Sequence, residues 1–194
     1  MNSTSSPDAI AIYGHESADP EAVAHTFGGQ VMDSIDPQIS CAIFVINPAA
    51  GIDQATIDLW RSIDEYQTPR IVVVSQLENQ EADFDDAVML ANRVFDHVAT
   101  PYLVLHDDAG IPCALISLET MQVSDYTTLP PIESACGPEH ETLVQEFREE
   151  YLELSTSMGD GAFAAGLLFP AIPLWIHRGI GVDIVKEYLR QIRD

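Results

Sequence analysis

Residues 41–74, CAIFVINPAAGIDQATIDLWRSIDEYQTPRIVVV, decide the fold. They open on the apolar run CAIFVI (41–46) and close on IVVV (71–74), both rich in β-branched residues, as expected of strands buried on two faces. Between the runs, Ala55, Leu59, Ile63 and Tyr66 recur at helical spacing over 53–66, and Pro69 acts as a stop signal. A strand, a helix and a second strand in this order form a crossover, which requires parallel strands and a right-handed connection.

The same alternation extends outward. Upstream, AIAIY (9–13) reads as a short strand, followed by a loop Gly14-His15-Glu16-Ser17-Ala18-Asp19-Pro20 and a short helix to about Phe27, closed by Gly28-Gly29. Downstream, residues 83–96 form a helix with Phe84, Ala87, Val88, Ala91, Val94 and Phe95 on one face. Residues 101–124 break the pattern: YLVLH, the turn-like Asp-Asp-Ala-Gly at 107–110 and IPCALISL predict an antiparallel hairpin. Residues 127–138 read as a connecting loop. An acidic helix is expected over 139–155, with Leu143, Phe147, Tyr151 and Leu154 inward and its glutamates outward. A last apolar run, 167–174, leads through the loop at 177–181 to a closing helix with Val182, Val185, Leu189 and Ile192 at core spacing. Lys186, Arg190 and Arg193 complement that helix's dipole near its end. The expected architecture is one α/β three-layer domain over 9–194, with parallel strands at 9–13, 41–47, 70–75 and 168–174, an inserted subdomain and connecting loop at 97–138, and a flexible N-terminus at 1–8.

Charge narrows the function. The chain has 194 residues, with 31 Asp and Glu against 8 Lys and Arg, giving a formal charge of −23. A polyanion of this strength is repelled by phosphate backbones and anionic lipid, which argues against general nucleic-acid binding and a membrane-surface role. With 46% hydrophobic and 20% charged residues the chain has the apolar content to fold. The apolar stretch 162–176 is interrupted by Gly166, Pro170 and Pro173 and is shorter than the roughly 20 residues of a membrane span. No secretory leader is visible at the start. Cys41, Cys113 and Cys136 form no CxxC pair and fit free thiols in a reducing cytoplasm.

Residues 41–84 resemble the G domain of translational GTPases, elongation factor G above all. Gly51, Thr56, Trp60, Tyr66, Pro69 and Arg70 keep the family's order and spacing, and Ala82-Asp83-Phe84 matches its Ala-Asp-Phe after the guanine-binding loop. Weaker similarity covers residues 10–15, the hairpin at 101–126, and Phe169-Pro170 through Gly181-Val182 to Tyr188-Leu189. The resemblance implies a P-loop NTPase-like fold, GTP and Mg²⁺ as family ligands, and a ribosome or translation-factor association.

The nucleotide motifs depart from that pattern. In the family's phosphate loop, GHxxxGKT, glycine allows close backbone approach, lysine contacts the phosphates and the hydroxyl holds Mg²⁺. Aligned on Gly14 and His15, the GKT positions hold Asp19, Pro20 and Glu21. About 15 residues, 26–40, stand where the family has both switch regions, two strands and its DTPGH segment. The guanine-reading NKxD becomes Ser75-Gln76-Leu77-Glu78, and the base-supporting Ser-Ala becomes Trp175-Ile176, which is expected to fill the vacated pocket. Losing three charge-assisted contacts removes on the order of 4 to 9 kcal/mol, about three or more decades of affinity. These positions are therefore expected to be vestigial, with no catalytic residue, no metal and no cofactor, in a non-hydrolysing pseudo-GTPase that serves as a binding or regulatory module. Two alternatives remain open: an atypical GTP-binding enzyme, and a different small-ligand site in the cleft between Gly14, Ser75 and Trp175.

Asp19-Pro20 also has a constructive reading. Asp is a favoured N-cap and Pro suits the first helical turn, so a carboxylate built into the chain can stand where a phosphate would bind. His106-Asp107-Asp108 reads as a turn rather than a metal site, and Cys113 as a packed strand thiol. Removal of the switch-region strands is expected to expose a sheet edge that must be covered, blunted or paired, through a protein partner or a homodimer.

Overall fold

The computed structural model describes residues 9–79 and 83–192; the N-terminal segment 1–8, Ala82 and Arg193 lie outside the described residues. In chain order the elements are β1 (Ile10–Tyr13), α1 (Pro20–Phe27), β2 (Gln30–Val31), β3 (Cys41–Ile46), α2 (Gln54–Ile63), β4 (Arg70–Val74), α3 (Phe84–Val94), β5 (Val98–Ala99), β6 (Tyr102–His106), β7 (Pro112–Ser117), β8 (Gln122–Asp125), β9 (Ile132–Ala135), α4 (Pro138–Met158), β10 (Phe169–Pro173) and α5 (Val182–Gln191). Six strands form one parallel sheet in the order β2-β1-β3-β4-β10-β5.

Alternation along the buried strands divides the core into two faces. In β3, Ala42, Phe44 and Ile46 join Trp60 and Ile63 of α2 and Phe84, Ala87 and Ala91 of α3 on one face. Cys41, Ile43 and Val45 join Val23 and Phe27 of α1 and Val185 and Leu189 of α5 on the other. The result is the expected three-layer α/β architecture, with helices on both faces of a parallel sheet. Arg70 is fully buried at the start of β4, its guanidinium between the Trp60 ring (4.5 Å) and the Phe169 ring (4.1 Å), with Nη2 donating to Asp64 at 2.5 Å.

Three details correct or sharpen the sequence reading. First, the hairpin is half of a four-stranded antiparallel sheet, β6-β7-β8-β9, and β9 lies inside the stretch read as a loop. Every residue of β9 is exposed, so no hydrophobic alternation marks it; its ladder with β8 defines it. Second, α4 turns inward only part of the expected stripe, with Tyr151 buried and Leu154 packed against the same cluster. Val144 and Tyr151 are buried, whereas Leu143 and Phe147 are 72% and 53% exposed. The stripe through 144 and 151 packs with Ile116 and Leu118, and Arg148 on the same side donates to the Glu119 carbonyl. Third, of the outcomes expected for the edge beyond β1, covered, blunted or paired, the chain's own residues blunt it. The two-residue β2 pairs with Ala11 and Ile12, the Met32 amide donates to the Ile12 carbonyl, and the Ser40 amide donates to that of Ala9. Residues 28–40 thus cover in brief what a longer strand would pair.

Candidate functional site

Ligand sites in open parallel sheets lie at the carboxyl ends of the strands, and here that end is built from the loops after β1, β4 and β10. The loop after β1 begins at Gly14, where a Cβ would sit 2.6 Å from the Val45 carbonyl oxygen, so only glycine lets the loop pass this close to β3. His15 Nδ1 accepts from the Ser17 amide at 3.2 Å, starting a single 3₁₀ turn at 16–18. Asp19 ends that turn in a left-handed conformation (φ 56°, ψ 57°) and caps α1, its Oδ1 accepting from the Ala22 amide at 3.2 Å. Pro20 takes the first helical position and is buried, while Glu21 lies exposed in the first turn. The built-in carboxylate read from the sequence is in place.

Two long-range bonds pin this loop. Ser75, buried at the end of β4, donates from Oγ to the Ala18 carbonyl at 2.7 Å, and Asn47 Nδ2 donates to the Ser17 carbonyl at 2.9 Å. Ser75 is therefore a brace between strand and loop. The space between the loop, β3 and the start of α2, bounded by His15, Ser17, Asn47, Asp53 and Thr56, is about 10 Å³, room for no more than a water. Thr56 Oγ1 is engaged by the Asp53 carboxylate.

On the other side of α1 lies a cavity of about 240 Å³. It brings together Asp19, Ser75, Gln76, Glu78, Trp175 and Ile176 from the three sequence motifs, and adds His25, Thr26 and His177. Gly14, expected in the same cleft, is not in its lining. Trp175 forms a wall rather than a plug: it bridges to Ile180, lies under the Arg178 guanidinium at 4.6 Å and packs beside Leu115, Tyr126 and Ile180. Gly181 shapes this loop, since a Cβ there would meet the Pro173 carbonyl oxygen at 2.0 Å. Among the described residues no Lys or Arg lines either space. Residue type gave no reason to pick His25 and His177, because their shared cavity depends on α1 meeting the β10 loop.

His106, Asp107 and Asp108 sit at the β6–β7 turn, where the Asp107 carboxylate accepts from the Ala109 and Ile111 amides. Among the described residues no group of three or more His, Cys, Asp or Glu is placed to hold a metal ion, and no helix is long and apolar enough to cross a membrane. A larger groove of about 430 Å³ lies away from the strand ends, between α3 and α4, with Met89, Phe147 and Leu154 in its walls.

No protein-family model matches the chain. In sequence it is similar to elongation factor G-like proteins. One from Mycobacterium tuberculosis CDC 1551 is 28% identical over 163 residues, 73% of this chain, and that of strain H37Rv matches equally. The chain spans 22% of these relatives' length. In structure it is similar to a solved protein of Thermus thermophilus, with a TM-score of 0.74 and 16% identity over 97% of this chain and 40% of that one; this likeness concerns the fold. The G-domain-like reading holds at this level of fold and sequence.

Proposed function

We propose that this chain is an elongation factor G-like G domain that has lost GTP binding and hydrolysis and serves as a binding or regulatory module associated with translation. The observation that carries the reading is the Asp19 cap. The N-terminus of α1, where a phosphate would be held by backbone N–H groups and the helix dipole, already holds a carboxylate on the Ala22 amide. A polyphosphate would meet that negative charge with no lysine or arginine in the lining among the described residues, beside a hollow of about 10 Å³. Mg²⁺ has no free hydroxyl at the former threonine position, which is Glu21.

Titration of the full chain with GTP and GDP, with and without Mg²⁺, tests this reading. No binding at submillimolar nucleotide is expected. Submicromolar affinity would instead make the chain an atypical GTP-binding protein.

Translation association follows from the similarity to elongation factor G-like proteins, and the activity of a whole relative is not carried over to a chain that spans a fifth of it. One feature favours a heterologous protein partner over a homodimer: two copies each carrying −23 repel one another. Sedimentation of the chain alone should give a monomer, and co-sedimentation with ribosomes should recover it in the pellet. A self-associating chain absent from the ribosome pellet would reverse both expectations.

A further inference from the structure

We infer that the groove between α3 and α4 is a docking site for an amphipathic α-helix of a partner protein, about four turns long, whose apolar anchors are flanked by lysine or arginine. The inference rests on the reading of the chain as a protein-binding module and names the surface that binds.

Both walls follow the helical period. From α3, Asp85, Val88, Met89 and Asn92 line the groove at i, i+3, i+4 and i+7; from α4, Phe147, Glu150, Tyr151 and Leu154 repeat that spacing. Val98, Ala99, Leu103 and Leu118 also contribute to the lining. The hollow of about 430 Å³ is thus mostly apolar, and Met89 and Phe147 are left exposed. The α4 wall continues beyond it, since Leu143 lies one turn before Phe147 and Met158 one turn after Leu154, both exposed. From 143 to 158 this stripe rises about 22 Å at roughly 1.5 Å per residue, the length of four helical turns.

Two observations decide what covers the stripe. The first selects a helix over a strand. β5 is the outer strand of the parallel sheet and borders the groove, and its Val98 amide donates to Asn92 Oδ1 at 2.8 Å, so an added strand would find that edge donor taken. A helix satisfies its own backbone and needs only apolar walls for its anchors. The second observation is charge. Asp85 and Glu150 stand in opposite walls, Glu146 and Glu153 lie one turn to either side of Glu150, and none of the four has an ion pair among the described residues. Of the nearby cationic side chains, Arg148 donates to the Glu119 carbonyl and Arg93 lies outside the lining, which holds His97 but no lysine or arginine among the described residues. Lysine or arginine beside the anchors of an incoming helix completes these pairs, whereas a second copy of this chain would bring a like charge of −23.

The test titrates four-turn helical peptides into the full chain at physiological salt while backbone amide shifts are followed by NMR. One peptide of leucine and lysine carries its leucines on a single face, a second has the same composition with the leucines scattered, and a third replaces lysine with glutamate. The first should bind saturably, shift Val88, Met89, Phe147 and Leu154, and exceed the second at least tenfold in affinity, with no response to the third. Met89→Ser with Phe147→Ser should weaken it at least tenfold, and both side chains are exposed in the free chain, so their replacement leaves the fold intact. Glu146→Gln with Glu150→Gln should weaken it at least threefold. Asp33→Asn with Asp183→Asn, beside β2 at the opposite edge of the sheet and on α5 of its other face, should leave the affinity unchanged. Equal affinity for the scattered peptide, or an equal loss in the Asp33 and Asp183 variant, would overturn the assignment in favour of general attraction to an acidic surface. Binding of the glutamate peptide would overturn the cationic partner, and a dimer that Met89→Ser with Phe147→Ser dissolves would give the groove to a second copy. The module reading fails separately: a chain that binds the basic peptide but is absent from the ribosome pellet refutes translation association alone, whereas one that pellets with ribosomes and is silent to the peptide refutes only the groove.

Discussion

Asp19 answers two demands at once, and substitutions can separate them. Its left-handed backbone is tolerated by Asp, Asn and Gly but costs other residues roughly 1 to 2 kcal/mol, while its carboxylate caps α1. Asn satisfies both demands, Gly only the first and Ala neither. Stability measured by urea unfolding should therefore fall in the order wild type, Asp19→Asn, Asp19→Gly, Asp19→Ala, with the cap alone contributing about 0.5 to 2 kcal/mol. An alanine variant as stable as the parent would show that the bond at 3.2 Å contributes nothing. Ser75 supports a second prediction. Ser75→Ala leaves the buried Ala18 carbonyl without its side-chain partner, so it should cost about 1 to 3 kcal/mol and raise hydrogen exchange in residues 16–19. The two residues also mark what the sequence could disclose. Asp-Pro before a helix announces a cap by residue type alone, whereas Ser75 reaches a carbonyl 57 positions away, a relation that only the packed sheet creates.

Among elements, α4 shows why helical periodicity alone can misplace part of a buried face. Leu143, Phe147, Tyr151 and Leu154 lie at core spacing, and so do Val144 and Tyr151; the two stripes share Tyr151, and where the β6–β9 sheet stands decides that Val144 rather than Leu143 joins it. Mutations read this choice directly. Leu143→Ser should change stability by no more than about 0.5 kcal/mol, whereas Val144→Ala, two methyls smaller at a buried position, should cost about 1.5 kcal/mol or more. Comparable losses at both positions would mean that α4 buries the face the sequence suggested. The strands divide in the same way. β3 and β4 were legible because burial on two faces leaves a continuous apolar run. The two-residue β2 and β5 are too short to carry any period, and β9 is exposed along its whole length. β2 and β9, held mainly by their ladders, leave no hydrophobic trace, and they are the ones that blunt the sheet edge and complete the inserted sheet.

For the whole molecule, the charge of −23 and the buried tyrosines set opposite responses to solution conditions. Like charges crowd together on folding, so added NaCl should raise the melting temperature until screening is complete, with most of the gain by about 0.1 M, where the Debye length is about 10 Å. A melting temperature independent of salt would mean that the acids are spaced widely enough not to interact. Alkali acts through different groups. Burial holds the Tyr13, Tyr126 and Tyr151 phenols neutral and pushes each from 10.0 up to about 12, with carboxylates adding to the shift: Asp36 beside Tyr13, Glu133 and Asp183 near Tyr126, and Glu119 near Tyr151. Tyr188 is raised further by the same burial. Between those values the unfolded chain has released phenolic protons that the folded chain retains, so stability falls as pH rises. The contribution is complete below pH 10 and disappears through about pH 12. Tyrosinate absorbance should therefore rise together with the loss of helical circular dichroism. If tyrosinate formed near pH 10 while the helix signal persisted, the phenols would be solvated in the folded protein.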